Sequence, residues 1–192
     1  MTRTFTVLAG LVTLLLLATI GVGLWHFVTD DRTRRDEIFV IHFVLGLCTA
    51  LGVLLVHCII FTYFLGTGRW VKEVTLAYRL PDVPWHKLTR ELKRATFPPA
   101  LFAMLIAIAA AAAGAGAQLQ AWHWSIHAML AFLTVLINLW AFGVEYRNVT
   151  TNAGVILDVL AEVDRLRSAQ GLPSNEAALA EEEAIANGRP SG

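Results

Sequence analysis

The sequence predicts an all-α integral membrane protein, a bundle of four transmembrane helices. Hydrophobic residues make up 56% of the 192 residues and charged residues only 16%, whereas soluble domains carry about 25% charged residues. The mean hydropathy is +0.59. Four apolar segments, each near the length of roughly 20 residues that crosses a bilayer, contain no Asp, Glu, Lys or Arg: 5–28, 38–65, 100–117 and 122–144. This composition excludes a soluble enzyme, a disordered chain and a disulfide-stapled secreted module.

The borders of these spans follow from local signals. Residues 5–28 follow Arg3 as a signal peptide would, but the apolar stretch exceeds the roughly 7–15 residues of a signal core, so we expect a retained helix. The breaker Gly66–Gly68 predicts the end of the second span. Pro98 and Pro99 predict the start of the third, because proline suits a first helical turn.

The distribution of positive charge predicts the orientation. The 66–99 loop carries seven Lys and Arg residues and no comparable cluster occurs elsewhere, which places this loop and both termini in the cytoplasm. We expect a bacterial inner membrane. Equal numbers of basic and acidic residues, fifteen each, argue against nucleic acid as a partner.

Residues 1–147 form the predicted membrane domain, and the 66–99 loop within it is interpreted as a basic, amphipathic, interfacial segment that contacts anionic lipid headgroups. Residues 148–170 predict a cytoplasmic amphipathic helix. Its apolar stripe must pack on the loop, on another copy in a homo-oligomer, or on another membrane subunit. Residues 171–192 predict a mobile acidic tail in which 175–186 could form a weak helix. Cys48 and Cys58 are expected to be buried and too far apart for a disulfide.

Histidines are the informative polar residues of this chain. Under the predicted topology four of them, on three helices, gather near the outer membrane face: His26, His42, His123 and His127. His42 and His127 lie at about the same depth, as the fifth and the sixth residue of their spans. Polar side chains at such depth need partners.

Two kinds of bound metal fit this pattern. In the first, His42 and His127 are axial ligands of a b-type haem held between spans two and four. The small residues Gly46 and Ala131, each four positions after a ligand, leave room for the macrocycle, and Arg32, Arg34 or Arg35 could pair with its propionates. In the second, His26, His42, His123 and His127 share one zinc or copper ion. An aromatic belt of interfacial histidines without any cofactor is the remaining interpretation.

Two further polar residues complete the membrane part. His57 lacks an opposing histidine, so we expect it to bond Asn138 or a backbone carbonyl rather than a second haem. Glu145, at the inner end of span four, is expected to pair with Arg147 or a loop cation. With no charged residue inside a span, a proton relay lacks its parts.

Four helices with facing histidines look like the plan of many small membrane cytochrome b subunits, although no motif assigns a named family. The first functional hypothesis is therefore a small membrane redox subunit that passes electrons within a membrane complex. The alternative is a non-catalytic structural or assembly subunit, supported by the smooth Ala- and Gly-rich surface of residues 109–117. A small oligomeric channel or carrier is a third hypothesis.

Overall fold

The computed structural model describes residues 1–29 and 31–186, without the side chains of Arg32 and Thr33. The described chain is all-helical and contains no strand. Its helices are α1 (Thr2–Val28), α2 (Arg32–Ala77), α3 (Trp85–Gln118), α4 (Trp124–Ala169) and the short α5 (Asn175–Ala186). Helices α1 to α4 are each long and apolar enough to cross a membrane. The predicted all-helical architecture and its four apolar helices are confirmed.

The four long helices run up and down around a closed ring. Helix α1 contacts α2 and α4, and α3 also contacts both, while α2 and α4 touch across the centre. We call the end where α1 and α3 finish and α2 and α4 begin the turn end. The opposite end, where α2 and α4 run on beyond α1, is the extension end. Inward-pointing residues at the same depth on α2 and α4 therefore face each other through the middle of the bundle.

The core follows helical spacing on every helix. Buried residues recur three or four positions apart, for example Phe5, Ala9, Val12 and Leu16 on α1 and Val53, Val56, Ile60 and Phe64 on α2, as one face of a helix requires. The outward faces carry exposed Leu, Val and Phe side chains instead of charges. Cys48 and Cys58 lie on these outward faces and are exposed and unpaired. The expectation that they are buried was wrong, because in an apolar bundle the surface is as hydrophobic as the core.

Helix α2 does not end at Gly66–Gly68 but continues to Ala77. Its 46 residues extend about 70 Å at 1.5 Å per residue, far beyond a bilayer core. Phe64 and Val71, on either side of the glycines, are both fully buried. Their packing outweighs the cost of roughly 1 kcal/mol that each helical glycine carries.

Helix α3 also begins earlier than predicted, at Trp85, and Pro98 and Pro99 lie inside it. The helix continues across both prolines, although neither has the backbone N–H that a helical hydrogen bond needs. Pro99 and Ala100 are buried in the bundle, so packing holds the helix together there. Most of the predicted 66–99 loop is therefore helix, with a connection only over residues 78–84.

The apolar stripe of the predicted C-terminal helix packs within the chain. Helix α4 carries on to Ala169, and its Val155, Val159 and Val163 form a buried cluster with Val71 of α2. Trp70, Tyr78 and Trp85 close over this cluster from the 66–99 segment. Three partners were considered for the apolar stripe: the 66–99 segment, another copy and another subunit. In the structure the stripe packs on the 66–99 segment of the same chain. Helix α5 matches the weak helix expected in the tail, and residues 187–192 lie outside the described part of the chain.

Candidate functional site

His42 and His127 meet in the middle of the bundle near the turn end. His42 is on α2 and His127 on α4, and the centroids of the two rings are 6.0 Å apart, with the ring planes at 76°. Both side chains are only partly exposed. The sequence paired these two histidines by depth alone, and the structure brings them together across the bundle.

Both rings are anchored in the same way. His42 Nδ1 lies 3.1 Å from the Thr19 carbonyl oxygen of α1, and His127 Nδ1 lies 2.9 Å from the Ala110 carbonyl oxygen of α3. A carbonyl oxygen can only accept, so Nδ1 of each ring carries the hydrogen and donates it. The lone pair of each neutral imidazole is then on Nε2. Each ring is fixed in the tautomer that a metal ion binds through Nε2.

A glycine beneath each ring makes this anchoring possible. Gly23 and Gly114 each lie four residues after the carbonyl that accepts the bond. A Cβ at Gly23 would approach His42 Cε1 to 2.8 Å, and one at Gly114 would approach His127 Cε1 to 3.0 Å. Real Cβ atoms avoid such distances, so both rings rest directly on the backbone of the neighbouring helix.

The other predicted ligands take different positions. His26 lies beside Phe39, with ring centroids 5.9 Å apart, and His123 caps the start of α4 through the Ser125 backbone. No group of three or more metal-ligating side chains occurs in the described part of the chain. The four-histidine arrangement that the ion hypothesis needs is not assembled here.

The small residues named from sequence play a lesser part. A Cβ at Gly46 would meet only Thr19 Cγ2 at 3.8 Å, an ordinary contact. Ala131 is partly buried on α4. The sequence predicted small residues beside the histidines on the same helices, α2 and α4. The glycines that contact the imidazole rings are instead on the neighbouring helices α1 and α3. The available signal was that both glycines lie near the turn end of their spans, at the depth of the histidines.

A second polar cluster lies deeper, about 22 Å along α2 from His42. His57 is fully buried and bonds two residues of α4: its Nδ1 lies 2.6 Å from Glu145 Oε1 and its Nε2 lies 3.1 Å from Asn138 Oδ1. Phe142 stacks on the ring with centroids 5.2 Å apart. The expected bond from His57 to Asn138 is confirmed. Because both ring nitrogens are engaged, His57 has no lone pair to offer a metal.

The hydrogen bonds of this cluster determine how many protons His57 and Glu145 carry together. Asn138 Nδ2 donates to the Thr134 carbonyl at 2.8 Å, so Asn138 Oδ1 faces His57 and must accept from Nε2. Neither a bare Nδ1 nor a carboxylate can donate, so one further proton lies between His57 Nδ1 and Glu145 Oε1. The pair is electrically neutral as a whole, which lowers the cost of burying it.

The pairing expected for Glu145 was wrong. Its carboxyl group bonds His57, not Arg147 or a loop cation, and it is fully buried, whereas Arg147 is exposed. Glu145 was placed at a span border because the apolar run ends there, yet α4 continues inside the bundle. Its spacing of seven residues from Asn138 and from Asn152, two turns of the same helix face, was the signal for an inward position.

The chain matches no protein-family model, no curated protein and no solved structure. Its own side chains must therefore carry the functional argument. The bundle contains two inward-facing polar centres. At the turn end lie two imidazoles whose Nε2 atoms have no hydrogen-bond partner among the described residues. Deeper in the core, the electrically neutral His57–Glu145 pair links α2 and α4.

Proposed function

We propose that the chain is an integral membrane protein with four transmembrane segments, of a bacterial inner membrane, and with both termini in the cytoplasm. The four long apolar helices support insertion, and the basic residues of the 66–99 segment support the orientation. Gln120, between α3 and α4, is then on the periplasmic side, which small impermeant reagents reach in intact cells. After replacement of Cys48 and Cys58 by Ser, an impermeant maleimide should label a Gln120→Cys variant in intact cells and leave Ser174→Cys unlabelled; the reverse pattern contradicts this orientation.

Within that membrane domain, we propose that His42 and His127 bind one b-type haem, making the protein a small membrane redox subunit. The geometry of the ring pair carries this proposal. Imidazole nitrogens bind a metal at about 2 Å, so two rings whose centroids lie roughly 6 Å apart would both reach one metal held between them. The observed separation is 6.0 Å, and both Nδ1 atoms are already engaged elsewhere.

The surrounding residues suit the same role. A backbone carbonyl on Nδ1–H orients a metal-bound histidine and raises its basicity, as the carbonyls of Thr19 and Ala110 would do here. Gly46 and Ala131 remain the small residues expected beside the macrocycle. Arg34 and Arg35 are exposed at the start of α2, within reach of the turn end, and suit the propionates; the side chain of Arg32 lies outside the described residues. A bound haem supplies one-electron transfer.

The electrons would pass between a quinol or a partner domain and an acceptor on the outer side, within a larger membrane complex or a homo-oligomer. The position of the histidine pair near the turn end favours exchange on that side. The bundle continues well below this pair: His57 already lies about 22 Å from His42 along α2. Electron exchange on the opposite side would therefore require a second carrier.

Substitution of the ligands tests the haem assignment. His42→Ala and His127→Ala should each remove most haem from the purified protein, because each deletes one of the two proposed iron ligands. His26→Ala and His123→Ala are matched controls that delete histidines from the same end and should retain it. Full haem in both His42→Ala and His127→Ala would refute the assignment, and equal loss in all four variants would contradict a specific role of the His42–His127 pair.

The alternative of a structural or assembly subunit is less well supported by the fold. Of the small residues at 109–117, Ala110 and Ala113 are buried in the bundle, whereas Ala111, Ala112 and Ala115 are exposed. The apolar stripe of α4 packs on α2, so the stripe, unlike the surface of α3, is covered within the chain. Colourless protein free of zinc and copper that co-purifies with other membrane subunits would favour this alternative.

A further inference from the structure

A small polar cavity lies at the extension end, away from the histidine pair. It occupies about 70 Å³ between α2 and the first turns of α3 and is lined by Gly68, His86, Thr89, Arg90 and Lys93. A single buried water needs roughly 10–15 Å³ of such space, so the cavity has room for several waters or for one tetrahedral oxyanion.

The hydroxyl of Thr89 distinguishes this cavity from a surface crevice. Thr89 is fully buried, and its Oγ1 has no hydrogen-bond partner among the described residues. A helical threonine ordinarily bonds a carbonyl one turn back. The other buried threonines all bond a backbone carbonyl of their own helix: Thr49, Thr75, Thr96 and Thr134. Leaving a buried hydroxyl unpaired is costly, and Thr89 lines the cavity, so a ligand bound there would supply the partner that this hydroxyl lacks.

The charges around the cavity indicate the sign of that ligand. Arg90, Lys93 and His86 are basic or can become so, and all three are partly buried. One carboxylate lies close by: Asp82 Oδ1 is 2.6 Å from His86 Nδ1, and Asp82 Oδ2 is 3.6 Å from Arg90 Nη2. Asp82 orients these two side chains and offsets part of their charge. Lys93 forms no salt bridge within the described chain, so positive charge remains.

Gly68 of α2 lies opposite Thr89 of α3 at the cavity. A Cβ on Gly68 would lie 3.5 Å from Thr89 Cγ2, an ordinary van der Waals contact. The two helices therefore pack closely beside the cavity.

We propose that this cavity binds a phosphate group through the Thr89 hydroxyl and the cations of Arg90 and Lys93. Hydroxyl and charged nitrogen donors together are the usual partners of phosphate oxygens. The phosphate belongs either to an anionic phospholipid headgroup or to a free phosphate ion. The location, just beyond Leu65 where α2 leaves its apolar segment, puts the cavity at headgroup level in the proposed topology.

Binding by the purified full-length protein tests the proposal. One arm adds short-chain phosphatidylglycerol in detergent, and a second adds inorganic phosphate, with bound ligand counted by native mass spectrometry. Saturable binding of phosphatidylglycerol identifies a lipid site, and saturable binding of phosphate alone identifies a free-ion site; each supports the phosphate assignment. No saturable binding in either arm overturns it.

Matched variants separate the cavity from diffuse attraction to a basic surface. Lys93→Gln and Thr89→Val should each weaken binding about tenfold, as loss of one charge-assisted hydrogen bond predicts. Lys72→Gln removes the same charge from an exposed position outside the cavity and should leave affinity unchanged. Equal losses in Lys72→Gln and Lys93→Gln would overturn the proposal.

The Thr89→Val variant also separates ligand binding from a structural role. Without added ligand it should unfold at the same temperature as the parent or higher, because it removes an unpaired buried hydroxyl. Unchanged affinity in a folded Thr89→Val protein would overturn the assigned role of this residue.

Discussion

At the scale of single residues, the histidine pair depends on atoms that belong to its neighbours. Each imidazole donates to a backbone carbonyl on an adjacent helix and rests on a glycine one turn further along. The same device occurs twice, with Thr19 and Gly23 on α1 and with Ala110 and Gly114 on α3. Both rings are held in the same tautomer, and neither Nε2 has a partner among the described residues, as a pair of proposed metal ligands requires.

The glycines under the rings give a residue-scale prediction. Gly23→Ala places a methyl group at 2.8 Å from His42 Cε1, so the ring must shift, and overpacking of this kind costs about 1–3 kcal/mol. We expect haem retention to weaken about tenfold, measured as the absorbance ratio of haem to protein after purification.

Gly21→Ala is the matched control for that substitution. It lies on the same helix, and a Cβ there meets nothing within 4 Å. It should keep the parental haem content and unfold at the same temperature or slightly higher. Equal effects of the two substitutions would show that the close contact under His42 has no bearing on the cofactor.

At the scale of the elements, α2 and α4 are joined across the centre of the bundle by the His57–Glu145 pair. Glu145→Gln preserves the shape and can still bond Nδ1 of a neutral imidazole, so stability should change by less than about 1 kcal/mol. Glu145→Leu leaves that nitrogen without a partner and should cost about 1–3 kcal/mol, read as a fall of several degrees in the unfolding temperature in detergent.

An exposed carboxylate provides the control for Glu145. Glu73 pairs with Arg69 at the surface, where both side chains are more than half exposed, and such pairs contribute little. Glu73→Leu should therefore leave the unfolding temperature nearly unchanged. If Glu145→Leu were as harmless as Glu73→Leu, the buried pair would not lock the two helices.

The packing of the α4 extension on α2 is a second prediction at this scale. Val159 is fully buried in the extension cluster, so Val159→Asp buries an unpaired charge and should open the extension. Trypsin cleavage at Arg79 and Arg165 should become about tenfold faster or more, because proteolysis follows the population of the open form. Leu157 is 66% exposed on the same helix, and Leu157→Asp should not alter the cleavage rate.

Periodicity and charge were sufficient to predict the helices but not their ends. The apolar runs showed four spans, because an apolar stretch of about 20 residues without charge is typical of a membrane-crossing helix. Gly66, Pro98 and Glu145 each look like a border in sequence. In the folded chain Phe64, Pro99 and Glu145, at or beside these positions, are buried, and packing overrides local preference there. Such packing depends on residues far along the chain, such as Val71 and Val159, and cannot be read locally.

At the scale of the whole molecule, polar contacts occur at several depths along the seam between α2 and α4. The His42–His127 pair lies nearest the turn end, His57 with Asn138 and Glu145 lies deeper, and Asn152 with Tyr63 and Thr67 lies towards the extension end. Matched depth was enough to predict the first contact. The partners of His57 beyond Asn138 needed the observed register of α4. The carbonyls that hold the ligand rings carry no sequence signature, because any residue has a carbonyl.

The most direct test of the account is an absorbance spectrum of the purified protein, oxidised and then reduced with dithionite, after expression in haem-replete cells. Haem binding by His42 and His127 predicts a Soret shift and a sharp α band in the reduced-minus-oxidised difference, at one haem per chain. Both features should be absent from His42→Ala and His127→Ala. A flat difference spectrum for the parent protein, persisting after addition of haemin to the folded chain, would contradict haem binding.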